Sequence, residues 1–323
     1  MATTTKPPAV PTRAGARASR PPRRVTWRKA TPYLLIAPAV LLELLVHIIP
    51  MFVGVWMSFV HLTQFYIRNW SQAPWAGLGN YKIALDFSGP IGRDLLHSFV
   101  ITMLYTVLVV GLAWVFGMSA ALVLHRSFRG RGFLRTVFLV PYALPIYAGV
   151  ITWSFMLQRD NGLVNHVLVN DLHVFKSPAF WLLGNDAFFS AAVVNLWRAW
   201  PFAFLMLMAG MQSIPDEVYD ASAVDGASIW KQTRYITLGM LKPINVVLLL
   251  MLFLWTFNDF NTPFVLFGAT PPKSADLIAI HIYGNSFVNW NFGLGAAMSV
   301  LLLLFLLLMT GLWLGLTRRS RRA

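Results

Sequence analysis

Long apolar runs alternate with short polar connections over most of the chain. Runs of about 20 apolar residues, each long enough to cross roughly 30 Å of hydrocarbon as a helix, fall near 33–60, 96–124, 134–157, 187–212, 243–267 and 292–316. They predict an all-α, polytopic membrane protein with six transmembrane helices. Pro38 and Pro50 predict a kink in the first run, and Pro141 and Pro145 one in the third; neighbouring helices can satisfy the backbone groups so freed. One connection, Ile214–Pro243, is a polar island between two of these runs. Ser213 with Asp216 reads as an S-x-x-D capping box, Pro215 is tolerated in a first turn, and Asp216 and Glu217 favour the positive end of a helix. Ala221, Ser222 and Ala223 give that helix a small-residue surface, and Gly226 ends it and turns the chain. A second short helix is expected from about Ser228 to Tyr235, before Gly239 and Pro243 reset the direction.

Composition agrees with the pattern. The chain of 323 residues is 57% hydrophobic and 12% charged, against about 25% charged residues in soluble domains, and its mean hydropathy is +0.61. Lys and Arg gather before Tyr33, at 126–135, at 231–242 and at the C-terminus. The opposite loops hold Arg68, Lys82, Arg93, Arg159, Lys176 and Lys273. By the positive-inside rule both termini and the Ile214–Pro243 loop are expected in the cytoplasm of a multi-pass chain. The Ala/Arg-rich tails hint at a high-GC bacterium, and the bacterial cytoplasmic membrane is the expected location. Residues 1–32 read as a disordered basic tail, 33–316 as the membrane domain with its loop at 213–243, and 317–323 as a second basic tail. No cleavable signal peptide is expected, because the first run is too long.

The net charge of +14 is spread over membrane-flanking loops, which explains topology and attraction to membrane lipid and argues against a nucleic-acid partner. There is no Cys and no Gly-Lys pair, so thiolate chemistry and a phosphate-binding P-loop are both excluded. The seven His residues show no metal-ligand spacing, so no metal or other cofactor is expected on this chain and enzyme chemistry has no support. Glu43 and His47 read as one local i,i+4 pair. Six spans alone also fit a stand-alone secondary transporter or channel for a small polar solute, although a charged, capped hairpin does not suit that alternative.

Polar groups inside a span are costly unless they face a cavity or a partner. The fifth run holds Asn258, Asp259 and Asn261 beside Phe257 and Phe260, and the fourth holds Arg198 between Trp197 and Trp200. Amides, a carboxylate and aromatic faces suit an uncharged polyhydroxyl solute, so Arg198, Trp197, Asn258, Asp259 and Asn261 are the candidate substrate path. On an unbroken helix Asn258 and Asn261 share a face and Asp259 is turned about 100° away. The competing reading is an Arg198–Asp259 pair, or a fixed helix contact, with no solute involved.

Asp220-Ala221-Ser222, then Gly226, then Ile236-Thr237-Leu238 resembles the E-A-A-x3-G-x9-I-x-L-P signature of permease subunits of binding-protein-dependent ABC importers. Asp replaces Glu, Ser222 the second Ala, and Gly239 the motif's Pro. Gly77-Leu78-Gly79-Asn80-Tyr81 resembles a G-L-x-N-Y element, Gly130–Pro145 the third-helix entry, Gly162–Asn165 a G-x-x-N turn, and Asn195–Phe202 a W-basic-x-x-P-F element of the carbohydrate-importing branch, related to maltose and trehalose permeases. Gly268–Pro272 departs from a more glycine-rich turn. The resemblance runs from about Leu34 to Leu316. It implies the type I ABC importer permease fold and an ATPase-coupling role for Asp216, Glu217, Asp220, Ala221, Ser222, Asp225, Gly226 and Ile236. It also implies a heterodimer with a second permease subunit, a homodimeric pair of ATPase subunits carrying ATP and Mg, an extracytoplasmic solute-binding protein and a carbohydrate substrate. The chain itself is then a transport subunit, not an enzyme.

Overall fold

The computed structural model describes residues 26–319, with side chains over 31–317. The expected N-terminal tail lies outside the described residues up to 25, and the first helix starts at Thr26, earlier than the boundary at 33. At the other end the last helix runs to Arg319 and leaves 320–323 outside the description. The chain divides into two units, 1–53 and 54–323.

In the first unit the Thr26–Glu43 helix contains Pro32 and Pro38 and passes through a π-turn at Leu44–Ile48. His47 Nδ1 lies 3.2 Å from the carboxylate of Glu43, both side chains exposed, as the i,i+4 spacing predicts.

Among the described residues five helical stretches are long and apolar enough to cross a membrane: Thr31–Met57, Pro90–His125, Asp186–Met211, Lys242–Phe267 and Phe292–Thr317. The third predicted span is two helices, Arg131–Ala143 and Ile146–Met156, bent by 91°; counted as one broken span they make the sixth. Pro145 sits in the break with φ −54° and ψ 136°, after an extended Leu144. The geometry follows from its ring, which removes an N–H and bars the helical conformation from the preceding residue, Leu144. The fifth span is also interrupted, as Lys242–Phe257 and Asn261–Phe267 with Asn258–Phe260 between them.

Second and fourth spans form the centre of the second unit. Gly117 is buried where they cross, and a Cβ there would come within 2.7 Å of Ala203 Cβ and of the Phe204 backbone nitrogen. Without a hydrophobic drive between helices in lipid, such close backbone approach supplies the packing energy. Gly117→Val should therefore lower stability by about 1–3 kcal/mol, seen as a fall in the thermal midpoint in detergent. Gly111→Val, where a Cβ meets open space, serves as the control and should change little.

Towards the Ile214–Pro243 end, Leu124, Leu207, Met211, Leu241 and Leu248 form one core between the second, fourth and fifth spans. Trp114 Nε1 adds a polar tie by donating to Asn245 Oδ1 at 2.8 Å. At the far end, Ala84, Phe257, Ile278, Leu294 and Met298 gather around the sixth span. Trp313 Nε1 donates to the Val246 carbonyl at 3.0 Å and ties the sixth span to the fifth.

Two of the short sequence motifs are staples. Asn80 is buried and donates to the carbonyls of Ser58 and Val60 at 2.9 and 3.0 Å. Asn165 donates to the Arg159 and Ala179 carbonyls while its Oδ1 accepts from the Ala179 N–H and from Trp181 Nε1. Each amide satisfies backbone groups that its loop would otherwise leave unpaired.

Candidate functional site

Two regions hold the predicted site residues. The first is the hairpin after the fourth span. Its helix runs Asp216–Val224 with Pro215 as N-cap in extended conformation. The expected capping box does not form: Ser213 lies in the turn that closes the fourth span after Met211, and both its N–H and its Oγ donate back to the Gly210 carbonyl. Asp216 and Glu217 occupy the first turn, where their charges favour the helix dipole.

The helix ends in a Schellman arrangement. The Gly226 N–H donates to Ala223 O at 3.0 Å and the Ala227 N–H to Ser222 O at 2.9 Å. Gly226 has φ +75°, the left-handed conformation that glycine adopts without a Cβ penalty. This is the physical reason for a glycine at that spacing.

The second helix begins at Ile229 with Ser228 as N-cap, its side chain accepting from the Lys231 N–H. It does not stop near Tyr235 but widens into a π-turn over Gln232–Thr237, holds the half-buried Ile236, and continues through Leu238–Met240. Gly239 lies inside this continuation, and the chain enters the fifth span at Lys242–Pro243.

Two polar contacts lock the hairpin. Gln232 Nε2 donates to Ser222 Oγ at 3.0 Å, and the Tyr219 and Thr237 hydroxyls lie 3.0 Å apart. Ser222, the departure from the small-residue pair, thus gives the second helix an acceptor that Ala lacks. Outside this clasp the hairpin is open. Asp216, Glu217, Asp220, Ala221, Asp225 and Gly226 are exposed, and so are Val224 at 88%, Trp230 at 74% and Tyr235 at 76%. A compact element with apolar side chains standing clear of its own core is built to meet another surface.

The second region lies at the breaks of the third and fifth spans. Tyr147, just past Pro145, donates to Asn261 Oδ1 at 2.9 Å, so the two interruptions meet. Asp259 is 8% exposed. Its Oδ2 accepts from Tyr105 Oη at 2.9 Å and from Asn195 Nδ2, and its Oδ1 accepts from the Thr262 N–H at 3.2 Å. The carboxylate therefore starts the Asn261–Phe267 helix and ties it to the second and fourth spans.

Asn258 is exposed and returns its amide to the Leu254 carbonyl at 2.9 Å, finishing the preceding helix. The interruption removes the i,i+3 face that an unbroken helix would give Asn258 and Asn261. Irregular backbone at membrane depth persists where protein or a wet cavity covers it. Arg198 is half-buried, and among the described residues it makes no hydrogen bond or ion pair, with Asp259 or with any other group. Trp197, one residue earlier, meets Trp153 edge-on at 5.9 Å.

Sequence reasoning missed Tyr105, Asn195, Tyr147 and the Tyr219–Thr237 and Gln232–Ser222 contacts. Tyr147 carried one usable signal, a phenol two residues after Pro145 in an apolar run.

Spans broken at mid-length, a bundle centred on two helices and a protruding, clasped hairpin define an integral membrane transport subunit. Comparison with known proteins agrees. Residues 113–322 match the family described as binding-protein-dependent transport system inner membrane component, and the chain belongs to that family. It is 32% identical to the trehalose/maltose transport system permease protein MalF of Thermococcus litoralis, over 90% of this chain and 94% of the relative. It is 30% identical to the trehalose transport system permease protein SugA of Mycobacterium tuberculosis, over 88% of this chain and 87% of the relative. A crystal structure of a bacterial ABC transporter involved in import of the acidic polysaccharide alginate contains a chain of the same fold, with a TM-score of 0.73 at 18% identity, covering 90% of this chain and 96% of that one. Family membership sets aside the stand-alone secondary transporter or channel.

Proposed function

We propose that the chain is the permease subunit of an ATP-driven importer that carries a carbohydrate, a sugar or related polyol, across the bacterial cytoplasmic membrane. The observation that carries this reading is the Asp216–Met240 hairpin, locked internally and exposed outwardly, in a chain of this family. Both termini and the hairpin are cytoplasmic in this reading, in line with the distribution of Lys and Arg. Asp216, Glu217, Asp220, Ala221, Ser222, Asp225, Gly226 and Ile236 form or support the face that docks on an ATPase. That ATPase is a separate homodimer holding ATP and Mg, and this chain binds no cofactor.

A second permease subunit completes the pathway, and an extracytoplasmic solute-binding protein delivers the solute. The trehalose and maltose named for the relatives support a carbohydrate. So does the mixture of amide, guanidinium and aromatic groups supplied by Tyr147, Asn258, Asn261, Trp197 and Arg198. Asp259, accepting from three donors of the protein, holds the break in the fifth span in place. ATP-driven closure of the motor shifts the hairpin, and the packed spans carry the shift to the two breaks. The solute site then opens to the other side because each state binds a different partner better.

The test is purification of the tagged chain with whatever accompanies it, followed by ATPase assays with and without a panel of sugars and the cognate binding protein. An accompanying ATPase stimulated by loaded binding protein is expected. A chain that purifies alone and still moves solute in vesicles would overturn the reading.

A further inference from the structure

At the hairpin end, the C-terminus of the second span, the start of the third and the entry to the hairpin line an open cavity of about 660 Å³. Its walls include His125, Arg126, Ser127, Arg131, Arg135 and Asp216. A neighbouring cavity of about 710 Å³ shares His125, Arg126, Ser127 and Asp216 and extends beneath Tyr219.

Part of this charge has a structural use. Arg131 donates to the His125 and Arg126 carbonyls at 3.1 and 3.5 Å, and Arg135 Nη2 to the Leu124 carbonyl at 2.9 Å, so two guanidinium groups cap the last turn of the second span. The rest is unspent. Arg135 Nε is a fully buried donor without an acceptor. The exposed Arg126 side chain makes no hydrogen bond or ion pair among the described residues, and neither it nor its two neighbours pairs with Asp216 across the cavity.

Arginine forks match phosphate oxygens, and a basic pocket at the end of membrane helices lies at the level of lipid headgroups. Three guanidinium groups against one carboxylate leave the cavity cationic. We infer that this cavity is a binding site for a phosphate-bearing anion, the headgroup of an acidic phospholipid, held by Arg126 and Arg135 with Arg131 beside them. Because Pro215 and Asp216 form the opposite wall, a bound headgroup bridges the end of the bundle and the root of the hairpin. The inference stands on this geometry and does not depend on which solute is carried.

The experiment needs only the full chain, purified with its partners from membranes doped with phosphatidylglycerol. Retained lipid is counted by native mass spectrometry as phosphatidylcholine is titrated in. Arg126→Gln, whose side chain supports no bond in the fold, should retain about fivefold less phosphatidylglycerol, the worth of one basic residue near a membrane surface. Arg129→Gln removes the same charge three residues away, outside the cavity lining, and should retain as much as the parent. Equal retention by Arg126→Gln, or equal loss in both variants, overturns the site. Inorganic phosphate added to the parent separates the sources. Displacement of the lipid extends the site to soluble phosphate esters, whereas no displacement restricts it to the membrane.

Discussion

Gly226→Leu abolishes ATP-driven solute uptake while leaving capture of solute by the binding protein intact. The left-handed backbone at φ +75° costs a residue with a Cβ roughly 1–2 kcal/mol. The new side chain also stands in open space, on the face offered to the ATPase. Relief of the backbone strain would dissolve the paired bonds from Gly226 and Ala227 to Ala223 and Ser222 and swing the first hairpin helix away from the second. Each 1.4 kcal/mol lost from docking is about tenfold in affinity, so backbone and steric effects together should lower uptake by more than tenfold. Gly226→Ala carries the backbone penalty with little added bulk and should fall between parent and Leu. Uptake of labelled sugar and the amount of ATPase that co-purifies are the two measurements. Undiminished uptake with a full complement of ATPase in the Leu variant would sink the docking role of this hairpin.

The hairpin was legible in sequence because its information is local. A glycine at a helix end, acidic residues in a first turn and small residues between them each act within one or two turns. Even there the start differs: Ser213 and Asp216 have capping-box spacing, yet Ser213 is used by the turn that closes the fourth span and bonds back to Gly210. The clasp between Ser222 and Gln232 was invisible, since nothing in the spacing says that two short helices fold back at that register.

The spans show the same division. Six apolar runs and the proline at 145 gave the number of crossings and one break. The interruption at Asn258–Phe260 was hidden, because an Asn-Asp pair inside an apolar run reads equally as a polar stripe on an intact helix. What decides between them is a carboxylate that prefers three donors, Tyr105, Asn195 and the Thr262 N–H, to the geometry of a continuous helix. Two of those donors, Tyr105 and Asn195, come from spans far away in sequence, and single-chain periodicity does not register them. Arg198 shows the converse: the sequence leaves an ion pair with Asp259 open, and in the fold the acid instead accepts from three neutral donors.

That arrangement separates the polar residues of the fifth span into two kinds with opposite expected phenotypes. Asp259→Ala leaves the Tyr105 hydroxyl, the Asn195 amide and the first free N–H of the Asn261–Phe267 helix without an acceptor at a buried position. Each orphaned group costs about 1–3 kcal/mol, enough in sum to consume most of the marginal stability of a folded domain. The variant should be degraded or fail to assemble with its partners, and uptake should vanish with the protein. Asp259→Asn keeps one acceptor oxygen and should recover part of the folded population, but not all, because one of its two positions now donates.

Asn258→Ala, by contrast, removes an exposed amide that bonds only to its own helix at Leu254. It should accumulate to parental levels and keep its ATPase partner. If Asn258 faces the solute, that variant raises the half-saturating sugar concentration or uncouples hydrolysis from uptake, with stability unchanged. Immunodetection of the assembled complex beside uptake kinetics distinguishes the two. A well-assembled Asp259→Ala complex with altered sugar preference would reverse the assignment and make the carboxylate a solute ligand. Asn258→Ala with parental kinetics would move the pathway onto the Tyr147–Asn261 side of the breaks.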